Sequence, residues 1–179
     1  MKETYSIKLI VTCSLLTSLA VIFQSAPVFL PSIGLVISPI STLPIAIAAL
    51  LNVYLGFLVF IATIFILLFI DLQEAIIFAV TTGLLGLIVG SILYQKGMIF
   101  SILFSSLGLF IGIITLIYIV DIPSIKEMLT LTSTLILLII VYIFSIGYAL
   151  IWNIIIKRFI KYLNKINVFT NLYRNEKKA

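Results

Sequence analysis

Few side chains in this 179-residue chain have the chemistry to act on a small molecule. Asp71, Gln73 and Glu74 sit within one short polar interruption, and Thr81 and Thr82 follow about two helical turns later. Gln24 and Ser25 close the first apolar run, while Tyr118, Tyr142, Ser145 and Tyr148 are the polar-tipped residues of the last two. There is no histidine, and the single cysteine is Cys13. A Ser-His-Asp triad, a His–Cys metal site and an internal disulfide are therefore excluded. Asp71 and Glu74 have no basic or imidazole partner nearby, so paired acid–base catalysis is a poor fit. No GxxxxGK[ST] phosphate loop is present, so the chain is not expected to hydrolyse ATP. What remains is a set of hydrogen-bonding groups suited to holding a ligand. No cofactor, no metal and no enzymatic role is expected.

The elements that must position these groups are set by composition. The chain is 63% hydrophobic and 9% charged, where a soluble domain carries about a quarter charged residues. Apolar runs of membrane-spanning length recur to the end. The expected fold class is all-α: a polytopic membrane protein with six transmembrane helices. The first apolar run has no small-residue cleavage site and reads as a retained helix rather than a signal peptide. The net charge of +5 falls at one membrane edge, where it would meet anionic headgroups rather than nucleic acid.

Residues 24–44 hold four of the five prolines, Pro27, Pro31, Pro39 and Pro44, and no charge. Proline removes a donor and clashes inside a helix, so this stretch is expected to be a non-helical first loop covering a cavity. The first helix is placed at 7–23. Residues 33–70 carry no charge; as one helix they would run to about 57 Å, nearly twice the ~30 Å hydrocarbon core, so they must fold back. A turn at 51–56 gives a short second helix over 42–51, loosely extended by 36–41, and a third over 56–70, with Asn52 capping. A fourth is expected over 75–94, a fifth over 98–120, a loop at 121–127, and a sixth over 129–156. Residues 1–165 form one six-helix domain, and 166–179 a basic cytoplasmic tail.

Lysine and arginine set orientation. With the N-terminus in the cytoplasm, ten of the eleven basic residues fall inside and Lys126 alone outside. Asp71, Glu74, Asp121 and Glu127 fall outside. The expectation is a multi-pass protein of the cell membrane with both ends cytoplasmic.

Each candidate carries a plain alternative. Glu74 either sits solvated in its loop or turns inward to a substrate donor, and Gln73 shares that choice. Thr81 and Thr82 either bond back to the preceding turn or face the cavity. Gln24 and Ser25 either meet a ligand or satisfy loop carbonyls. Tyr118, Tyr142 and Ser145 either line the cavity or pack. The glycines at 83, 86, 90, 108 and 112 favour internal packing. Trp152 and Tyr162 read as an aromatic belt at the inner interface. The reading taken is that Gln24, Ser25, Gln73, Glu74, Thr81, Thr82, Tyr118, Tyr142 and Ser145 bind a small solute near the outer surface.

Ser14 and Ser18 give helix 1 a small-xxx-small spacing, followed by an apolar proline-rich stretch, a short second span and a basic C-terminus; Thr81-Thr82-Gly83-Leu84-Leu85-Gly86 adds a further pattern. In this layout the chain resembles the substrate-binding S component of an energy-coupling-factor (ECF) vitamin or micronutrient transporter. The resemblance covers nearly the whole chain, although that family usually carries alanines where Ser14 and Ser18 stand. It implies a transmembrane coupling subunit docking on Ser14 and Ser18, two ATPase subunits, and a vitamin-like solute. The rival readings are a non-catalytic membrane partner, a small carrier or a regulatory subunit; a lipid-modifying enzyme fits least.

Overall fold

The computed structural model describes residues 2–118 and 134–165; the expected outer loop at 121–127, the start of the sixth helix at 129–133 and the tail at 166–179 lie outside the described residues. The described chain is helical, with six helical stretches long and apolar enough to cross a membrane: Ile7–Phe29, Pro31–Leu51, Val53–Ile70, Leu72–Leu93, Met98–Tyr118 and Leu135–Tyr162.

Helix α1, Lys2–Phe29, runs past its expected end at residue 23 and includes Pro27 in its last turn. Leu16, Thr17, Ala20 and Gln24 face inward on it, whereas Ile10, Leu15, Leu19 and Ile22 face out. The chain breaks at Leu30 (φ −134°, ψ 77°), because the residue before a proline is pushed out of the helical region. Pro31 then opens α2, Pro31–Ile37, at a first-turn position where its missing N–H is harmless. This helix doubles back along α1, so closely that a Cβ at Gly34 would collide with the Ala26 backbone.

The expected non-helical cover is therefore corrected. Residues 31–51 form α2, a 3₁₀ turn at Ser38–Ser41 and α3, Thr42–Leu51, in unbroken succession. Pro39 lies in the opening turn of the 3₁₀ segment and Pro44 in that of α3. Each proline occupies a position where a helical piece has no donor to lose, so proline segments this span without unwinding it. The second span thus reaches membrane-crossing length, 21 residues, as three consecutive helical pieces with the 3₁₀ turn in the middle, rather than as one short helix.

Asn52 alone turns the chain into α4, Val53–Ile70, its Oδ1 accepting from the Tyr54 N–H at 2.8 Å as an N-cap. Asp71 turns it again into α5, Leu72–Val80, accepting from the Glu74 N–H at 2.8 Å. The fourth span is not one helix. It breaks at Thr81 (φ −121°, ψ −90°) and resumes as α6, Thr82–Lys96. Gly97, at φ +88°, reverses the chain into α7, Met98–Tyr118. Helix α8 spans Thr134–Lys165, nine residues beyond the expected end at 156.

Two contacts fix the centre of the bundle. A Cβ on Gly86 would lie 2.6 Å from the Thr42 carbonyl oxygen, and one on Gly90 would lie 2.5 Å from that of Ala46. Glycines four apart thus let α6 seat directly on α3, the small-residue packing that lipid-embedded helices use. Gly112 of α7 similarly meets the Val80 carbonyl at the break in the fourth span. The internal-packing role expected of these glycines is what they show.

Candidate functional site

Where the second and fourth spans are interrupted, their polar residues converge on one side chain. Gln24 is fully buried, on the inward face of α1. Its Oε1 accepts from Ser41 Oγ at 2.8 Å and from Thr82 Oγ1 at 2.9 Å. Its Nε2 donates to Glu74 Oε2 at 2.8 Å. Ser41 closes the 3₁₀ turn, Thr82 opens α6, and Glu74 lies in the first turn of α5. A carboxylate only accepts, so the Gln24 amide must turn its NH₂ toward Glu74 and its oxygen toward the two hydroxyls.

The breaks make this convergence possible. Glu74 and Thr82 are eight residues apart, about 12 Å along a straight helix. The Gln24 amide meets both only because the chain bends at Thr81. Likewise Ser41 reaches Gln24 because α2 and the 3₁₀ turn are folded against α1. Non-standard backbone at membrane depth is tolerated when protein encloses it, and Ser41, Thr42, Thr81 and Thr82 are all buried. Half-buried Glu74 is the member of the group nearest a turn between spans, and its N–H is held by Asp71.

Gln24, Glu74 and Thr82 are thus brought together, and Ser41 joins them. The other candidates lie elsewhere. Ser25 is buried but donates to the Ile22 carbonyl at 3.4 Å, and Thr81 donates to the Ile77 carbonyl. Gln73 is exposed. Tyr118 is exposed at the end of α7, and Tyr142 is exposed while meeting Phe110 edge-on at 5.6 Å. Ser145 is fully buried and donates to the Val141 carbonyl at 2.8 Å. The buried stripe of α8 advances by fours through Leu137, Val141, Ser145, Ala149 and Asn153; Tyr142 is one residue off it. Trp152, expected at the interfacial belt, is instead buried against Tyr148 and a core of Ala46, Leu85 and Val89. Tyr162 is exposed.

Two features of the polar interior were not anticipated. Ser41 sits among prolines, which masks it in sequence; the adjacent hydroxyl pair Ser41–Thr42 is the signal that marks it. The second is Asn153, whose Nδ2 donates to Ser105 Oγ at 3.3 Å and to the Ala149 carbonyl at 2.8 Å, joining α8 to α7. A lone amide inside an apolar run was the signal for it. Ser101 Oγ, Asn153 Oδ1 and Thr42 Oγ1 are buried without a protein partner.

On the opposite face of α1, Ser14 and Ser18 are exposed, their hydroxyls turned back to the carbonyls of Ile10 and Ser14 at 2.9 Å each. With those hydroxyls satisfied locally, the face they share with Ile10, Leu15 and Ile22 is smooth and apolar. Among the described residues no group of three or more His, Cys, Asp or Glu could hold a metal ion. No family model, curated protein or solved structure matches the chain.

Proposed function

We propose that this chain is the solute-binding membrane subunit of an ATP-driven importer of the energy-coupling-factor type. The observation that carries the reading is the meeting of two interrupted spans at the Gln24 amide. Broken helices whose polar residues converge near the middle of a bundle are the usual architecture of a transporter binding site. A glutamate and a glutamine inside a membrane protein are costly to keep there and mark function by default. The solute would enter from the side where Glu74 and Asp71 lie, meet the amide, carboxylate and hydroxyls of Gln24, Glu74, Ser41 and Thr82, and leave on the cytoplasmic side. By the lysine and arginine bias, both chain ends face the cytoplasm. Energy would come from two ATPase subunits through a transmembrane coupling subunit, whose docking surface would be the smooth α1 face bearing Ser14 and Ser18. The chain would itself catalyse no reaction.

A second reading has its own support. Gln24 Oε1 already accepts two hydrogen bonds from protein, as a purely structural staple would. On that reading the chain is a non-catalytic partner of another membrane complex.

The test is co-purification with tagged ATPase and coupling subunits, together with uptake assays over a panel of vitamins and related micronutrients. Importer function predicts a stable complex and uptake that stops when the ATPases are deleted. A chain that never co-purifies, and whose solute still enters cells lacking the ATPases, would sink the proposal. Glu74→Gln and Thr82→Val separate the two readings at the site: a binding site loses affinity, whereas a staple loses only thermal stability.

A further inference from the structure

Between α4 and α6, at the membrane face shared by the Asn52 and Gly97 turns, lies an open groove of about 620 Å³. Leu87, Ile88 and Ile92 of α6 line it with Val53, Tyr54 and Phe57 of α4. The lining is apolar along its length and polar at one end. Asn52 lies at the turn with its Oδ1 committed to the Tyr54 N–H, which leaves its NH₂ free to donate. Tyr54 is exposed. Ile88, Ile92 and Lys96 recur every four residues, so an exposed lysine stands at the end of the stripe that lines the groove. From Leu87 to Lys96 the helix rises about 13 Å, roughly half the ~30 Å hydrocarbon core.

We infer that this groove is a binding site for one anionic phospholipid, with an acyl chain against Leu87, Ile88, Ile92 and Phe57 and its phosphate beside Lys96, Asn52 and Tyr54. Charge complementarity selects that occupant. The same face carries Lys8, Lys157, Arg158 and Lys161, all exposed, with Glu3 the one acid among the described residues at that end of the spans; Asp71 and Glu74 lie at the other ends. An apolar slot with two neutral donors at its mouth and a lysine one helical turn beyond its lining matches a lipid with a negative headgroup; a neutral or zwitterionic one leaves Lys96 with a weaker partner. The site is separate from the Gln24 cluster and stands whether or not the chain is an importer subunit.

The experiment is native mass spectrometry of the purified full-length protein, released from nanodiscs of equal phosphatidylglycerol and phosphatidylcholine. The expected spectrum shows one retained lipid, phosphatidylglycerol favoured about fivefold, the effect of one lysine near the headgroup plane. Lys96→Gln should bring that ratio close to one while a lipid is still retained. Ser91→Phe, which fills the slot from α6, should abolish retention of both lipids. A photoreactive acyl chain on phosphatidylglycerol should label α4 and α6 around Phe57 and Ile88 in the wild type, a readout that needs no variant to fold. Unchanged preference in Lys96→Gln, labelling spread evenly around the bundle, or a dimer mass with α4–α6 contacts between copies would each overturn the assignment.

Discussion

Replacing Gln24 by leucine removes three hydrogen bonds at once and keeps the side-chain volume close to constant. Interhelical hydrogen bonds in membrane proteins average about 0.6 kcal/mol and reach about 1.7. Three such bonds give about 2 kcal/mol if each is average and about 5 if each is strong. The lower value is expected, because Ser41, which follows continuous helical backbone, can turn to a carbonyl of the preceding turn, as Thr63, Thr81 and Ser145 already do; Thr82, just past the break at Thr81, lacks that option. Glu74 is only half-buried, so losing the Gln24 donor does not leave its carboxyl wholly enclosed. At about 2–4 °C per kcal/mol for a chain of this size, the midpoint should fall by about 4–8 °C. Cys13, the only cysteine and partly buried, permits a thiol-reactive dye assay of unfolding in detergent. Gln24→Glu should cost more, since it sets a second carboxylate against Glu74 across what is now a 2.8 Å bond. Combining Gln24→Leu with Glu74→Leu should give less than the sum of the two single effects, because each removes the same Gln24–Glu74 bond. Strict additivity, or a midpoint within 1 °C of wild type for Gln24→Leu, would refute the claim that Gln24 ties the two broken spans together.

Gly86→Ala and Gly90→Ala should each destabilise by about 1–3 kcal/mol in the same assay, because their new methyls meet the α3 backbone at 2.6 and 2.5 Å. Gly147→Ala, with nothing within 4 Å, should be neutral or slightly stabilising and serves as the control. Gly97→Ala and Gly97→Asn should each cost about 1–3 kcal/mol, read as a fall in midpoint, because φ +88° with ψ 174° is a conformation that glycine alone adopts readily and lies outside the αL well that asparagine tolerates. Asn153→Leu should change stability by less than about 1 kcal/mol, since it removes two hydrogen bonds but also an unpartnered buried oxygen; a large loss would mean that the α7–α8 amide contact is worth more than its geometry indicates. Reporter fusions at the two ends should give the same-side, cytoplasmic signal for both, and opposite signals would contradict six crossings.

Six crossings, all helical, follow from the chain's composition and the length of its apolar runs, because lipid leaves backbone groups no partner but their own helix. The capping roles of Asn52 and Asp71 and the turn at Gly97 were likewise open to local reading, since each depends on residues within four positions. The proline stretch shows where such reading stops. Local rules say that Pro31, Pro39 and Pro44 interrupt a helix; whether the pieces then unwind or stack end to end depends on the surface they lie against, and here α1 supplies it. The same limit applies to the candidate site. Gln24, Glu74 and Thr82 stood out as polar residues in apolar surroundings, but nothing near Gln24 in sequence reveals that its partners lie 17, 50 and 58 residues away. Gln73 and Tyr142 looked equally suitable by type and were turned outward by one residue of helical phase. Residue chemistry determined which groups had to be hidden from lipid. Only the packing of α3 against α6, and the bend at Thr81, decided which of them hide together, because hydrogen bonds between helices depend on angstrom-scale distances that sequence separation does not encode.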